Sequence, residues 1–181
     1  LITVATTVAI IAVPKLEPRD ARPSSRELVL EARNLRKTFS SGGRQLQALN
    51  DVSLTLRRGE TVGLVGESGS GKSTFARAII RLVEADAGEI SIAGQDITHL
   101  KGRPLRYLRK SVQIVFQDPY SALDPRQTIG QAIAEGPIMH GMPVAEANAR
   151  ASELLQAVGL GAEAARRYPR EFSGGQRQRI C

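Results

Sequence analysis

One cysteine, no tryptophan, two histidines and 4% aromatic residues leave this 181-residue sequence few of the groups that build disulfide frameworks, imidazole metal sites or base-stacking platforms. The cysteine, Cys181, is the last residue, so no internal disulfide can form, which suits a reducing compartment. Neither His99 nor His140 lies in a pattern such as H-E-x-x-H, so a histidine metal site is not expected. No apolar run reaches the roughly 20 residues that span a bilayer. The uncharged run at residues 1–13 reads as the remnant of something upstream. A signal or anchor is the alternative, and the lack of a basic segment before it stands against that.

The formal charge is +7 and the isoelectric point about 10.2, but the basic residues are scattered and no aromatics interleave with them. That pattern argues for solvated basic faces, or a surface near anionic lipid, over a direct nucleic-acid role. With 41% hydrophobic residues the chain is long enough for one domain with a sizeable core. Residues 14–26, with Pro14, Pro18 and Pro23 among charges, read as an exposed linker, which places the domain at 27–181. Both ends of the sequence, Leu1 and Cys181, read as cut.

The stretch Gly66–Ser73, Gly-Glu-Ser-Gly-Ser-Gly-Lys-Ser, fits the phosphate-binding pattern G-x-x-x-x-G-K-[ST] at every required position. Residues 60–65 read as a buried strand before it and residues 74–83 as a helix after it. In such a loop, Gly66, Gly69 and Gly71 let consecutive amides turn inward around a polyphosphate. The uncapped first turn of the helix favours the same anion. Lys72 supplies a mobile cation for the β- and γ-phosphates, Ser73 a hydroxyl for Mg²⁺ and Thr74 a further donor. The bland alternative is a Gly/Ser-rich surface turn. A nucleoside triphosphate site is the expectation.

Around it the chain alternates. Residues 28–32 and 35–39, then 48–56, carry period-two hydrophobicity across a Ser40–Gly43 loop, and predict an antiparallel sheet beside the phosphate loop. Phe39 has two readings: an aromatic face stacked on adenine, or an edge-strand core residue. Residues 89–93 predict a short strand, residues around 104–110 a short helix, and Val112–Phe116 a buried parallel strand. Asp118 resembles a metal-binding acid at a strand end. Pro119 follows it directly, however, and Gln117 holds the strand-terminal position, so Gln117 is the preferred Mg²⁺ contact. Residues 128–167 are helix-rich, with breaks expected at Gly136–Pro137 and Gly141–Pro143. Ser173 followed by Gln176 reads as a capping box that opens a helix, where Gly174 and Gly175 offer a second set of anion-facing amides; a plain helix cap is the alternative.

Taken together, Gly66–Ser73, then Phe116-Gln-Asp-Pro-Tyr-Ser-Ala-Leu-Asp-Pro125, then Phe172-Ser-Gly-Gly-Gln-Arg-Gln-Arg-Ile180, in that order and spacing, resemble the ATP-binding subunits of ABC transporters. The middle stretch and Tyr168–Phe172 are most similar to the oligopeptide, dipeptide and nickel importer branch, which includes glutathione importers. The resemblance covers residues 27–181. It implies an α/β phosphate-loop NTPase fold with an antiparallel β subdomain and a helical subdomain, cut after the signature motif. It implies that Gly66, Glu67, Ser68, Gly69, Ser70, Gly71, Lys72, Ser73 and Thr74 hold ATP, that Phe39 stacks on adenine, and that Ser73 and Gln117 bind Mg²⁺. Ser173, Gly174, Gly175 and Gln176 are then the signature that touches ATP held by an opposite protomer.

The implied partners are a second ATPase subunit, packed head to tail, and membrane-spanning permease subunits, on the cytoplasmic face of the membrane; no nucleic acid is expected. The implied function is coupling of ATP binding and hydrolysis to import of peptides or a related small solute. Two alternatives are a soluble ABC ATPase of DNA repair or ribosome function and a short non-catalytic dimer partner. The sequence departs from the family after the signature helix: no residue matches the Asp-Glu pair or the switch histidine. No catalytic residue is therefore assigned within the chain, and hydrolysis is expected of an intact protein rather than of this chain alone.

Overall fold

The structure is a computed structural model that describes residues 9–12, 27–116 and 118–181. The expected linker at 14–26 and Gln117 lie outside the described residues. Two compact units divide the chain, residues 1–115 and 116–181.

The first unit is built on a long hairpin of β2 (Leu28–Ser41) and β3 (Arg44–Arg57). Its turn is Gly42–Gly43, with φ of 56° and 77°; positive φ at both central residues makes the tight turn whose twist matches paired strands. The alternation seen in the sequence buries Leu30, Ala32 and Leu35 on one face of β2. β4 (Ala87–Ile92) pairs antiparallel with β2, and β5 (Gln95–Asp96) with β4, giving the order β3-β2-β4-β5. The β2 ladder bulges at Asn34, which has a φ of 51°; its amide donates to Ser53 Oγ at 2.8 Å and its side chain to Asp51 Oδ1 at 2.9 Å.

Helix α1 (Lys72–Ile79) lays Phe75, Ala78 and Ile79 into one core with Leu30, Leu35, Leu49, Ile90, Ile92 and Ile97. It is shorter than the sequence suggests. Arg81 takes a left-handed φ of 57°, its amide returns to Ala78 O at 2.9 Å, and the Leu82 amide returns to Arg77 O at 2.8 Å. This paired return closes the helix at Ile79 without the glycine that usually announces it.

Two expected strands differ. Residues 60–65 form no ladder among the described residues, and Val62 and Val65 are 38% and 86% exposed. A buried strand needs paired strands at its edges and packed layers on its faces, and no described strand pairs with this segment. Val112–Val115 is a strand, β6, but it pairs antiparallel with β1 (Ala9–Ala12), Val112 opposite Ala12 and Val115 opposite Ala9. Only Val112 is buried, and Val115 and Phe116 are exposed, because the burial and pairing direction of a short apolar run are both set by distant partners. Between β5 and β6 lies α2 (Gly102–Leu108), the short basic helix.

The second unit is helical: α3 (Pro119–Ala122), α4 (Ile129–Met139), α5 (Val144–Ala157), two short 3₁₀ turns (Ala162–Arg166 and Pro169–Glu171) and α6 (Gly174–Ile180). Ile129, Leu155, Leu160, Ala164 and Phe172 form its core. Pro137 sits inside α4 rather than ending it. The break comes at His140, whose amide bonds Gly136 O and Pro137 O, ahead of Gly141 at φ 93°. Lacking an amide, Pro137 cannot donate to the Ile133 carbonyl one turn back, so α4 loses one ladder bond there without being interrupted.

Candidate functional site

The segment Gly66–Ser73 forms a loop that ends in the first turn of α1. Gly69 and Gly71 have φ of 82° and 91°, a region that side chains with a β-carbon avoid. Gly66 serves differently: its φ is not positive, but a β-carbon there would stand 2.9 Å from Ser70 Oγ. Gly71 is the tightest position, where a β-carbon would stand 2.3 Å from the backbone oxygen of Ala48 on β3. The loop is thereby pressed against the hairpin.

Lys72 folds back over the loop. Its ammonium donates to Gly66 O at 2.7 Å, Glu67 O at 2.6 Å and Ser70 Oγ at 3.2 Å. Carbonyls thus hold the cation in place above the turn. At the start of α1 no side chain caps the helix and no acid lies in the first turn, so its leading amides and the positive end of its dipole remain for an anion. Ser73 and Thr74 are the next two residues of that turn, half-buried.

Among the described residues no three His, Cys, Asp or Glu side chains cluster as a metal site. The donor set fits Mg²⁺ only as a cation that shares its ligands with phosphate and water around the Ser73 hydroxyl. Asp118 is committed elsewhere: its Oδ1 accepts the Tyr120 amide at 2.9 Å and caps α3. His99 and His140 lie in separate units and in no such cluster.

Phe39 lies near the hairpin end of β2, opposite Leu46, and the residue is 40% exposed. The Lys37 ammonium stands 5.5 Å from the ring centroid. Lys37 in turn is opposite Leu49, next to the Ala48 carbonyl that touches Gly71. The hairpin register therefore brings Phe39 and the phosphate loop to the same stretch of β3. Sequence reading missed Asp86, which binds this end of β2 from 48 residues away: its carboxylate accepts from Lys37 Nζ and from the Thr38 amide, each at 2.7 Å. These bonds hold the Asp86 carboxyl below its ordinary pKa of 3.8, the Lys37 bond contributing most.

In the second unit Ser173 caps α6. Its Oγ accepts the Gln176 amide at 3.3 Å, while Gln176 Oε1 accepts the Ser173 amide at 2.9 Å. The two bonds close a capping box, and Gly174 and Gly175 form the first turn. The segment before it is braced by arginines. Arg177 Nε donates to Phe172 O at 3.1 Å and its guanidinium stands 4.2 Å from the Tyr120 ring centroid, while Arg167 lies 4.4 Å from that of Phe172. Burial, with the Asp118 charge second, pushes the Cys181 thiol above its ordinary 9.0, which disfavours the reactive thiolate.

Known proteins resemble this chain in sequence and in fold. The family model described as ABC transporter matches residues 49–181. The glutathione import ATP-binding protein GsiA of Pectobacterium atrosepticum is 49% identical over 172 residues, covering 91% of this chain and 28% of its own length. GsiA of Escherichia coli strain K12 is 53% identical over 163 residues, with 86% and 26% covered. The chain thus spans about a quarter of the length of the curated relatives it matches. Among solved structures, the dimeric ATP-binding cassette MJ0796 in a post-hydrolysis state with ADP and Pi aligns with a TM-score of 0.70 at 31% identity, covering 83% of this chain and 66% of that one. A second dimeric structure of MJ0796, a bacterial ABC transporter cassette, gives 0.71 at 32% identity with the same coverage. With the family model matched over most of its length and the fold shared with these cassettes, the chain belongs to the ABC transporter family.

Proposed function

We propose that this chain is part of an ATPase subunit that couples ATP binding and hydrolysis to the import of peptides or a related small solute. The observation that carries the reading is the loop at Gly66–Ser73, held by Gly71 against Ala48 and leading into an uncapped helix. The likeness to glutathione import ATP-binding proteins supports the importer assignment.

The loop amides from Gly66 to Gly71 and those of Lys72, Ser73 and Thr74 surround the phosphates of ATP, with Glu67, Ser68 and Ser70 forming the outer turn. Lys72 exchanges its carbonyl partners for phosphate oxygens. That exchange costs little, since the ammonium is already desolvated on one side by the loop. Phe39 stacks on adenine. Ser73 and Gln117 would hold Mg²⁺ together with phosphate oxygens, and the cation would offset charge on the β- and γ-phosphates.

Ser173, Gly174, Gly175 and Gln176 complete the ATP site of an opposite protomer. What supports this is the capping box, which settles the Ser173 and Gln176 side chains onto α6, uses the Gln176 amide, and leaves the Gly174 and Gly175 amides to an incoming phosphate. A second ATPase subunit and membrane-spanning permease subunits are the partners, at the cytoplasmic face of the membrane. No helix among the described residues is long and apolar enough to cross a membrane. No residue of this chain is assigned as the general base for hydrolysis.

The test is transport. Source cells carrying Lys72→Ala in the gene are expected to lose uptake of at least one solute from a panel of labelled glutathione, dipeptides, oligopeptides and nickel. Unchanged uptake across that panel, with a defect in DNA repair or ribosome function instead, contradicts the importer reading.

A further inference from the structure

We infer that Asp86 is a positioning residue for the base-binding end of the site: it fixes the tip of β2 so that Phe39 presents its ring to the nucleotide. The inference rests on the reading of Phe39 as the adenine-stacking residue.

The geometry starts from a gap in the sheet. Pairing between β2 and β4 ends at Arg36, opposite Ala87, so residues 37–41 of β2 have β3 on one edge and no strand on the other among the described residues. An edge of that kind leaves backbone donors without a ladder. Asp86 fills the gap from the residue just before β4. Its own amide donates to Arg36 O at 2.8 Å. One carboxylate oxygen accepts the Thr38 amide at 2.7 Å, replacing the ladder bond that β4 does not supply, and the other accepts Lys37 Nζ at 2.7 Å. Three consecutive residues of β2 are thus tied to one aspartate, and the next residue is Phe39.

Lys37 carries the constraint to the ring. Its side chain is only 17% exposed, its ammonium is bound to the carboxylate, and the same ammonium stands 5.5 Å from the Phe39 centroid. A cation placed over one face of a ring holds the ring there and leaves the other face for a stacked base. Releasing the carboxylate frees Lys37 and the β2 tip together. The phosphate loop does not depend on it, because that loop is fixed through Ala48 and its own carbonyls. Asp86 therefore acts on recognition of the base and not on recognition of phosphate.

That division supplies the readout. Affinities for Mg-ATP and for Mg-tripolyphosphate, which has no base, are measured by titration calorimetry on the full chain and on Asp86→Ala, Asp86→Asn, Lys37→Gln and Phe39→Ala. Asp86→Ala is expected to weaken ATP about fivefold and to leave tripolyphosphate within about twofold, the scale of a lost aromatic contact. Lys37→Gln follows it. Asp86→Asn, whose amide oxygen can still accept from Thr38, falls between. The double variant with Phe39→Ala is no weaker than Phe39→Ala alone, since both act on one contact.

If Phe39→Ala weakens ATP selectively and neither Asp86→Ala nor Lys37→Gln does, the positioning role is wrong and the reading of Phe39 stands. If Phe39→Ala leaves the ratio of the two affinities unchanged, the reading of Phe39 fails and takes this inference with it. Equal loss of both ligands in the Asp86 and Lys37 variants makes the aspartate a support of the fold only, and overturns the inference.

Discussion

The α-carbon of Gly71 faces the backbone oxygen of Ala48 so closely that a β-carbon would stand 2.3 Å from it and 3.4 Å from Leu49 Cδ2. This one approach joins the end of the phosphate loop to the hairpin that also carries Phe39. Backbone cannot yield as a flexible side chain can, and the φ of 91° adds strain of its own.

Gly71→Ala is therefore expected to destabilise the fold by about 2–4 kcal/mol, the sum of a left-handed backbone penalty and a forced separation of the loop from β3. Gly69→Ala is the comparison. Gly69 also has a positive φ, 82°, but nothing lies within 4 Å of a β-carbon there, so only the backbone penalty of about 1 kcal/mol remains. Urea unfolding of both variants checks this. Equal losses, or a larger loss at Gly69, would show that the Ala48 contact matters little.

The two capping boxes allow a second test. Thr128 Oγ1 accepts the Gln131 amide at 3.3 Å in α4 just as Ser173 does with Gln176 in α6. Ser173→Ala and Thr128→Ala are each expected to cost about 1 kcal/mol of stability. Their consequences for function differ: only the Ser173 variant is expected to weaken ATP-driven association of two subunits, measured by light scattering with the intact protein. A similar association defect in both variants would reduce Ser173 to an ordinary cap.

Acid gives a third. Because the folded-state pKa of Asp86 is depressed below 3.8, chiefly by the Lys37 bond and then by the Thr38 amide, the unfolded chain binds the proton first. Its contribution is fully present above the unfolded value and is lost as pH falls through the folded one. The stability gap between the wild type and Asp86→Asn is expected to be constant from pH 7 to about 5 and to shrink below pH 3.8. Glu27, whose carboxylate accepts two bonds from Arg58 at 2.7 and 2.9 Å, is lowered by the same mechanism and is present in both proteins, so it cancels. A gap that widens in acid would contradict the assignment.

What the sequence made legible was local. Glycines at 66, 69 and 71 announced the loop, alternation announced β2 and β3, and Ser173 with Gln176 announced a cap that the structure forms with both bonds. What it hid was either distant or unmarked. The partner of Val112–Val115 lies about a hundred residues earlier, and residues 60–65 read as buried from composition although no described strand covers them. The end of α1 was missed because Arg81, not glycine, takes the left-handed position. Asp86 was missed for the reason of distance: no local pattern tells that an aspartate before β4 will bind the far end of β2.

Binding of Mg-ATP to the full chain and to Lys72→Ala, by titration calorimetry, tests the central claim most directly. The account predicts saturable binding by the wild type and at least about tenfold weaker binding by the variant, since a charge-assisted hydrogen bond contributes about 1.5–3 kcal/mol. Equal affinity in the two proteins, or no binding by either when both are folded, would contradict the assignment of Gly66–Ser73 as the ATP site.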